Sequence, residues 1–136
     1  MTEPAENYDE LVDPRLGRLV ALTTVLDAAC VLGFVIAGRR SHHETNALAG
    51  IAETAWPFLA ALVVGWVGMY TWRDPLQLWP TAIGLWMVTV AGGLGLRLLA
   101  GQGASGAFPL VAAGVLAVLL IGWRLIARAV LRRREQ

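Results

Sequence analysis

Four apolar stretches divide the chain, at 19–37, 48–70, 79–99 and 108–126. Each is close to the roughly twenty residues that about 30 Å of hydrocarbon requires at about 1.5 Å per helical residue. A segment inside a bilayer must satisfy its own backbone hydrogen bonds, so stretches of this length fold as transmembrane helices. The connections are short: Gly38 to about Ala47, then Thr71–Leu78 with Asp74 and Pro75 as turn residues, then the glycine-rich Ala100–Ala107. Connections so short force consecutive helices to run antiparallel, and the expected fold is an all-α, up-down four-helix transmembrane bundle. The composition agrees: 57% of the 136 residues are hydrophobic and 15% charged, with a mean hydropathy of +0.59, more apolar than a soluble domain of this size.

An even number of spans leaves both termini on one face. The chain has no lysine, so its positive charge is all arginine. Arg15, Arg18, Arg73, Arg124, Arg128, Arg132, Arg133 and Arg134 fall on the terminal face, against Arg39, Arg40 and Arg97 opposite. That bias predicts both termini in the cytoplasm, in a plasma (inner) membrane. Residues 1–18 carry Glu3, Glu6, Asp9, Glu10 and Asp13 without apolar periodicity and are expected to form an acidic tail. A cleavable signal peptide would instead begin with basic residues and a shorter apolar core, so the first span is expected to be retained. At the other end, Arg124, Arg128 and Arg132 recur at steps of four, followed by Arg133 and Arg134. This pattern suggests a basic helical extension, with residues 127–136 as its tail, suited to anionic lipid headgroups. Trp72, Trp79 and Trp123 are expected at the cytoplasmic interface and Trp56 near the outer one, while Trp66 and Trp86 pack more deeply. Nucleic-acid binding finds no support, and the lone Cys30 offers neither a disulfide nor a CxxC motif.

Asp27 is the most expensive residue in this plan, at roughly +2.5 to +3.5 kcal/mol for an aspartate at a helix centre. An intramembrane carboxylate is a functional-site candidate by default. The structural alternative is a protonated Asp27 that hydrogen-bonds a neighbouring helix and fixes bundle register. Glu53 and Arg97 are expected about one turn below the outer interface at similar depth, where a salt bridge would offset part of their desolvation. Pro57, four residues after Glu53, opposes the usual hydrogen bond to the Glu53 carbonyl and leaves that acceptor free. Arg39, Arg40, Ser41, His42, His43 and Glu44 would cap this region, and Thr89 would lie near the level of Asp27, with Thr23 and Thr24 a turn below it. Together these residues suggest a polar track from the outer surface to mid-membrane. Adjacent His42 and His43 point apart on a regular element, no second cluster completes a tetrahedral set, and neither a metal nor a cofactor is expected. Ala29, Gly33 and Ala37, like Ala61 and Gly65, form small-residue faces for close helix packing, either within the bundle or between copies.

The two halves share a short motif, Trp56-Pro57-Phe58-Leu59-Ala60-Ala61 and Phe108-Pro109-Leu110-Val111-Ala112-Ala113, which raises the possibility of a parallel repeat of two hairpins. Asp27 followed by Val-Leu-Gly-Phe, Gly38-Arg39-Arg40-Ser41-His42, Thr54-Ala55-Trp56-Pro57-Phe58-Leu59, Gly93-Leu94-Gly95-Leu96-Arg97 and Gly122-Trp123-Arg124 occur in that order. This ordered set resembles a family of small prokaryotic four-span membrane proteins classified as a domain of unknown function, over about Arg15 to Arg128. The resemblance implies the fold and the polar positions and supplies no reaction. Three functional classes fit the residues. The first is an accessory or structural subunit of a membrane assembly, or a homo-oligomer. The second is a small proton- or cation-linked carrier or channel using Asp27 and the outer polar cluster. The third, an enzyme acting on lipid, ranks last because no paired-carboxylate metal motif, nucleophile elbow or phosphate loop is present.

Overall fold

The computed structural model describes residues 13–41, 48–104 and 106–136. Among them lie four long helices: α1 (Pro14–Ser41), α2 (Leu48–Gly68), α3 (Ile83–Leu99) and α4 (Phe108–Arg134). A wide turn at Leu78–Ala82 leads into α3, with Trp79 in extended backbone (φ −119°, ψ 130°) and a cis Trp79–Pro80 bond. Each helix packs on its neighbours in sequence, and α4 closes the ring onto α1. This is the all-α up-down bundle expected from the spans.

The outer two helices outrun their apolar stretches. Hydropathy marks the hydrocarbon length, whereas a helix continues until its backbone is capped. At the start of α1 the Asp13 carboxylate accepts the Arg15 amide at 2.9 Å, and Pro14 occupies a first-turn position where its missing N–H costs nothing. At the other terminus α4 runs through Arg128 to Arg134, a stretch of good helix formers. The inner helices end on matching caps. After α2, Tyr70 turns left-handed (φ 51°), its amide donates to Val67 O and the Thr71 amide to Trp66 O. After α3, Gly101 (φ +76°) does the same, with its own amide on Leu98 O and that of Gln102 on Arg97 O. Both are Schellman motifs, which satisfy last-turn carbonyls while reversing the chain.

The core faces recur at steps of four: Thr23, Asp27, Val31 and Val35 on α1, Leu85, Thr89 and Gly93 on α3, and Ala112, Leu116, Leu120 and Arg124 on α4, all buried. Residues four apart share a helix face, so one stripe per helix meets the bundle axis. The opposite faces are strongly apolar, with Leu22, Val25, Val63, Val64, Val67, Val118 and Ile126 exposed. An apolar outside around an axis holding Thr, Asp and Arg suits lipid as the surrounding medium. The shared aromatic-Pro motif sits differently in the two halves: Pro57 lies inside α2, whereas Pro109 belongs to the first turn of α4.

Helices α2 and α3 approach most closely because they meet through glycine and alanine. A Cβ at Gly92 would lie 3.0 Å from the Ala61 Cβ, and one at Gly93 would overlap the Phe58 ring. Ala61 and Gly65 therefore form an internal packing face, whereas Ala29, Gly33 and Ala37 are exposed on α1. Phe58 is fully buried and cannot swing away. Gly93→Val should destabilise the protein by about 1–3 kcal/mol through overpacking. By contrast Gly95→Ala, at a site with no neighbour within 4 Å, should be neutral or slightly stabilising in detergent unfolding measurements.

Candidate functional site

Two inward stripes carry opposite charges, Asp27 on α1 and Arg124 on α4, and the bundle brings them together. Both side chains are 0% exposed. The contact is bidentate: Arg124 Nη1 donates to Asp27 Oδ1 at 2.8 Å and Nη2 to Oδ2 at 2.7 Å. The planar guanidinium fork matches a carboxylate in this way. Two indoles complete the shell. Trp66 Nε1 on α2 donates to Oδ2 at 2.9 Å, and Trp123 Nε1 on α4 donates to Oδ1 at 2.9 Å. Asp27 thus accepts from four donors and donates to none, the pattern of an ionised carboxylate rather than of the protonated acid considered from sequence.

Arg124 is held just as fully. Its Nε donates to the Pro75 carbonyl at 2.8 Å, Nη1 also reaches Leu120 O at 2.9 Å, and its guanidinium carbon lies 4.6 Å from the Trp123 ring centroid. One turn along α4, Arg128 Nη1 donates to Leu76 O at 3.3 Å. The Asp74-Pro75-Leu76 segment joining α2 to α3 is therefore folded inward onto α4, with Pro75 and Leu76 buried. The site ties together α1, α2, α4 and the α2–α3 connection.

This arrangement corrects the expectation that Arg124 faces lipid headgroups. It lies in the interior because the stripe Ala112, Leu116, Leu120 runs on to position 124 in the same steps of four that link 124 to 128 and 132. Trp123, half-buried beside it, likewise turns its indole N–H inward onto Asp27. Arg132, Arg133 and Arg134 are exposed at the end of α4.

Arg39, Glu53 and Arg97 sit at the opposite end of the bundle. Arg39 Nη1 donates to Thr54 Oγ1 at 3.2 Å, and its guanidinium lies over Gly50, where a Cβ would collide with it. Arg97 donates through Nε to Gly103 O at 3.1 Å and through Nη1 to Gln102 Oε1 at 3.1 Å. The Gln102 amide in turn donates to the Glu53 carbonyl at 3.0 Å, the acceptor freed by Pro57. In place of the expected carboxylate–guanidinium contact, the described link between Glu53 and Arg97 thus runs through Gln102 and the backbone, and the Glu53 side chain is exposed. His42, His43 and Glu44 lie outside the described residues. Among the described residues no three of His, Cys, Asp and Glu converge as a metal site.

The two polar regions are not continuous. Between them Phe34, Phe58 and Phe108 pack together, with ring centroids 5.5 Å apart for Phe34–Phe58 and 6.2 and 6.3 Å for the pairs with Phe108. The inward positions of α1 beyond Asp27 are Val31, Phe34 and Val35, so the track expected from the outer surface to Asp27 is interrupted by an aromatic and aliphatic layer. Thr89 is fully buried on the α3 stripe.

Four helices long and apolar enough to span a bilayer, with apolar flanks and a buried charge pair on the axis, are the architecture of a multi-pass integral membrane protein. The family model described as "Protein of unknown function (DUF3054)" matches residues 24–127, and the chain belongs to that family. Neither a curated protein nor a solved structure matches it.

Removing either partner leaves a buried uncompensated charge. Asp27→Asn and Arg124→Met should each destabilise the bundle by about 3–5 kcal/mol, whereas the double replacement Asp27→Leu/Arg124→Met should recover most of that loss. A double-mutant cycle on unfolding in detergent measures the coupling. A second cycle tests the opposite end. Gln102→Leu should cost about 1 kcal/mol in the native background, and less in Pro57→Ala, where the helix amide at position 57 can again reach the Glu53 carbonyl.

Proposed function

We propose that the protein is a structural or accessory subunit of a membrane assembly, or a homo-oligomer, seated in the plasma membrane with both termini cytoplasmic. The observation that carries this reading is the saturation of Asp27. Four donors from three side chains fix the carboxylate in a closed pair, which suits a lock on bundle geometry better than a proton acceptor on a carrier path. Orientation is supported by the exposed and half-buried arginines, Arg15, Arg18, Arg73, Arg128, Arg132, Arg133 and Arg134, against Arg39, Arg40 and Arg97 at the other end, a bias that survives the withdrawal of Arg124. Arg128 and Arg132–Arg134 then lie where anionic headgroups of the inner leaflet would meet them. On α1, exposed Ala29, Gly33 and Ala37 form the small-residue face through which membrane helices associate.

Native mass measurement on gently extracted membranes should find the 14.6 kDa chain in a larger complex, and a lone monomer would overturn the reading. Gly33 has no neighbour of its own chain within 4 Å. Gly33→Leu should therefore dissociate the complex while leaving helical content and thermal unfolding of the protomer unchanged.

A further inference from the structure

Threonine in a helix usually satisfies its hydroxyl on the carbonyl one turn back. Thr24 does so with Val20 O at 2.8 Å, and Thr54 with Gly50 O at 2.9 Å. Thr23 and Thr89 do not. Both lie on inward stripes at 0% exposure, and Thr71, just past the end of α2, is equally buried; the Oγ1 of each has no hydrogen-bond partner among the described residues. Leaving a buried hydroxyl unsatisfied costs about 1–3 kcal/mol, and three such groups, on α1, after α2 and on α3, lie toward one end of the same bundle.

Their placement is ordered. Thr23 precedes Asp27 by one turn on the same face of α1. Thr71 donates its amide to the carbonyl of Trp66, whose indole holds Asp27. Thr89 falls one turn on the Asp27 side of Gly93, which packs on Phe58. All three therefore lie on the arginine-rich side of the Phe34–Phe58–Phe108 cluster. Arg124 adds a further donor: of its five N–H groups, Pro75 O, Leu120 O and the two Asp27 oxygens take four, leaving one on Nη2. Water occupies buried sites where it finds two to four polar partners.

We propose that Thr23, Thr71, Thr89 and the remaining Arg124 N–H bind a short internal file of water. It enters from the end of the bundle that carries the termini, passes the Asp27–Arg124 pair and stops at the three phenylalanines. The ion pair is thus solvated from one side of the membrane only, beneath the Asp74-Pro75-Leu76 segment that Arg124 and Arg128 hold in place. This proposal is independent of the assembly reading, since a monomer could hold the same water.

Thiol hydrogen exchange tests it without a bulky probe. In a Cys30→Ala background, Thr23→Cys, Thr89→Cys and Val35→Cys would be placed in nanodiscs, and conversion of S–H to S–D followed by infrared spectroscopy after transfer to D2O. Val35 is 2% exposed and lies beyond Asp27 on the phenylalanine side, so it serves as the dry reference. The thiols at 23 and 89 should exchange at least about tenfold faster than the thiol at 35, a difference that hydrogen exchange resolves. Exchange at 23 and 89 as slow as at 35 overturns the proposal. Equally fast exchange at 35 overturns the one-sided closure. As a second measurement in the native-cysteine protein, Thr23→Val with Thr71→Val should slow exchange of the Trp66 and Trp123 indole N–H groups. It should leave Trp86, which donates to Ala113 O, unchanged; no slowing at Trp66 and Trp123 counts against the proposal.

Discussion

A charge in the interior of a membrane bundle cannot be left alone, and Asp27 dictates much of what surrounds it. The carboxylate draws two N–H groups from Arg124 and one from each of two indoles, so α1, α2 and α4 must meet at one point with correct register on every helix. Arg124, buried to serve Asp27, then requires acceptors of its own. Its Nε finds the Pro75 carbonyl only because the connection between α2 and α3 folds back into the bundle. The inward-folded Pro75 and Leu76 thus serve a carboxylate on a different helix. The net worth of such a pair is small, since desolvation consumes most of the attraction. Its effect is directional, because this register brings all four donors onto the two carboxylate oxygens.

The opposite end solves a backbone problem rather than a charge problem. Pro57 removes the amide that the Glu53 carbonyl would have accepted, and the Gln102 side chain, reaching across from the loop after α3, takes its place. Gln102 can do so because the Schellman turn at Gly101 aims the chain back over α2, and Arg97 holds the far side of the same amide. A proline that weakens one helix thereby becomes the docking point for a loop from another. Arg97 also lies 4.5 Å from the Phe108 ring centroid, so this end rests directly on the phenylalanine layer.

Much of this was legible in the sequence, for reasons that vary with range. Span number, antiparallel order and the free Glu53 carbonyl follow from local rules of length, loop size and proline chemistry. Asp27 stood out because its cost is a property of one residue in one segment. Its partner did not, although the information was present: steps of four through Ala112, Leu116 and Leu120 lead to Arg124 as directly as steps of four lead away from it to Arg128 and Arg132. A step of four defines a face without saying where the face turns from bundle to headgroup, and charge alone suggested the headgroup. The Trp66 and Trp123 contacts and the Pro75 acceptor are long-range. No local pattern encodes them beyond the rule that a buried indole N–H needs a partner. The expected outer track is interrupted because depth along one helix says nothing of what its neighbours place at that level, and the layer that closes it is built from Phe34, Phe58 and Phe108 on three different helices.

The fixings on α1 bear on how the protein is used. Its inward side is held by directional contacts, with Asp27 on Arg124 near its middle and Arg39 on Thr54 toward its end. Its outward side offers Ala29, Gly33 and Ala37, which give a second helix room to approach but nothing to grip. Association in a bilayer relies on van der Waals fit, because lipid removes any hydrophobic drive between helices. Such a fit discriminates only if the presented face does not rotate. A helix that packed inward through aliphatic side chains alone could turn by a fraction of a residue at little cost, whereas a bidentate ion pair flanked by two indoles resists that rotation. On the proposed assembly reading, the buried pair and the exposed small-residue face belong to one device, in which the charge fixes from within the surface that α1 presents outside.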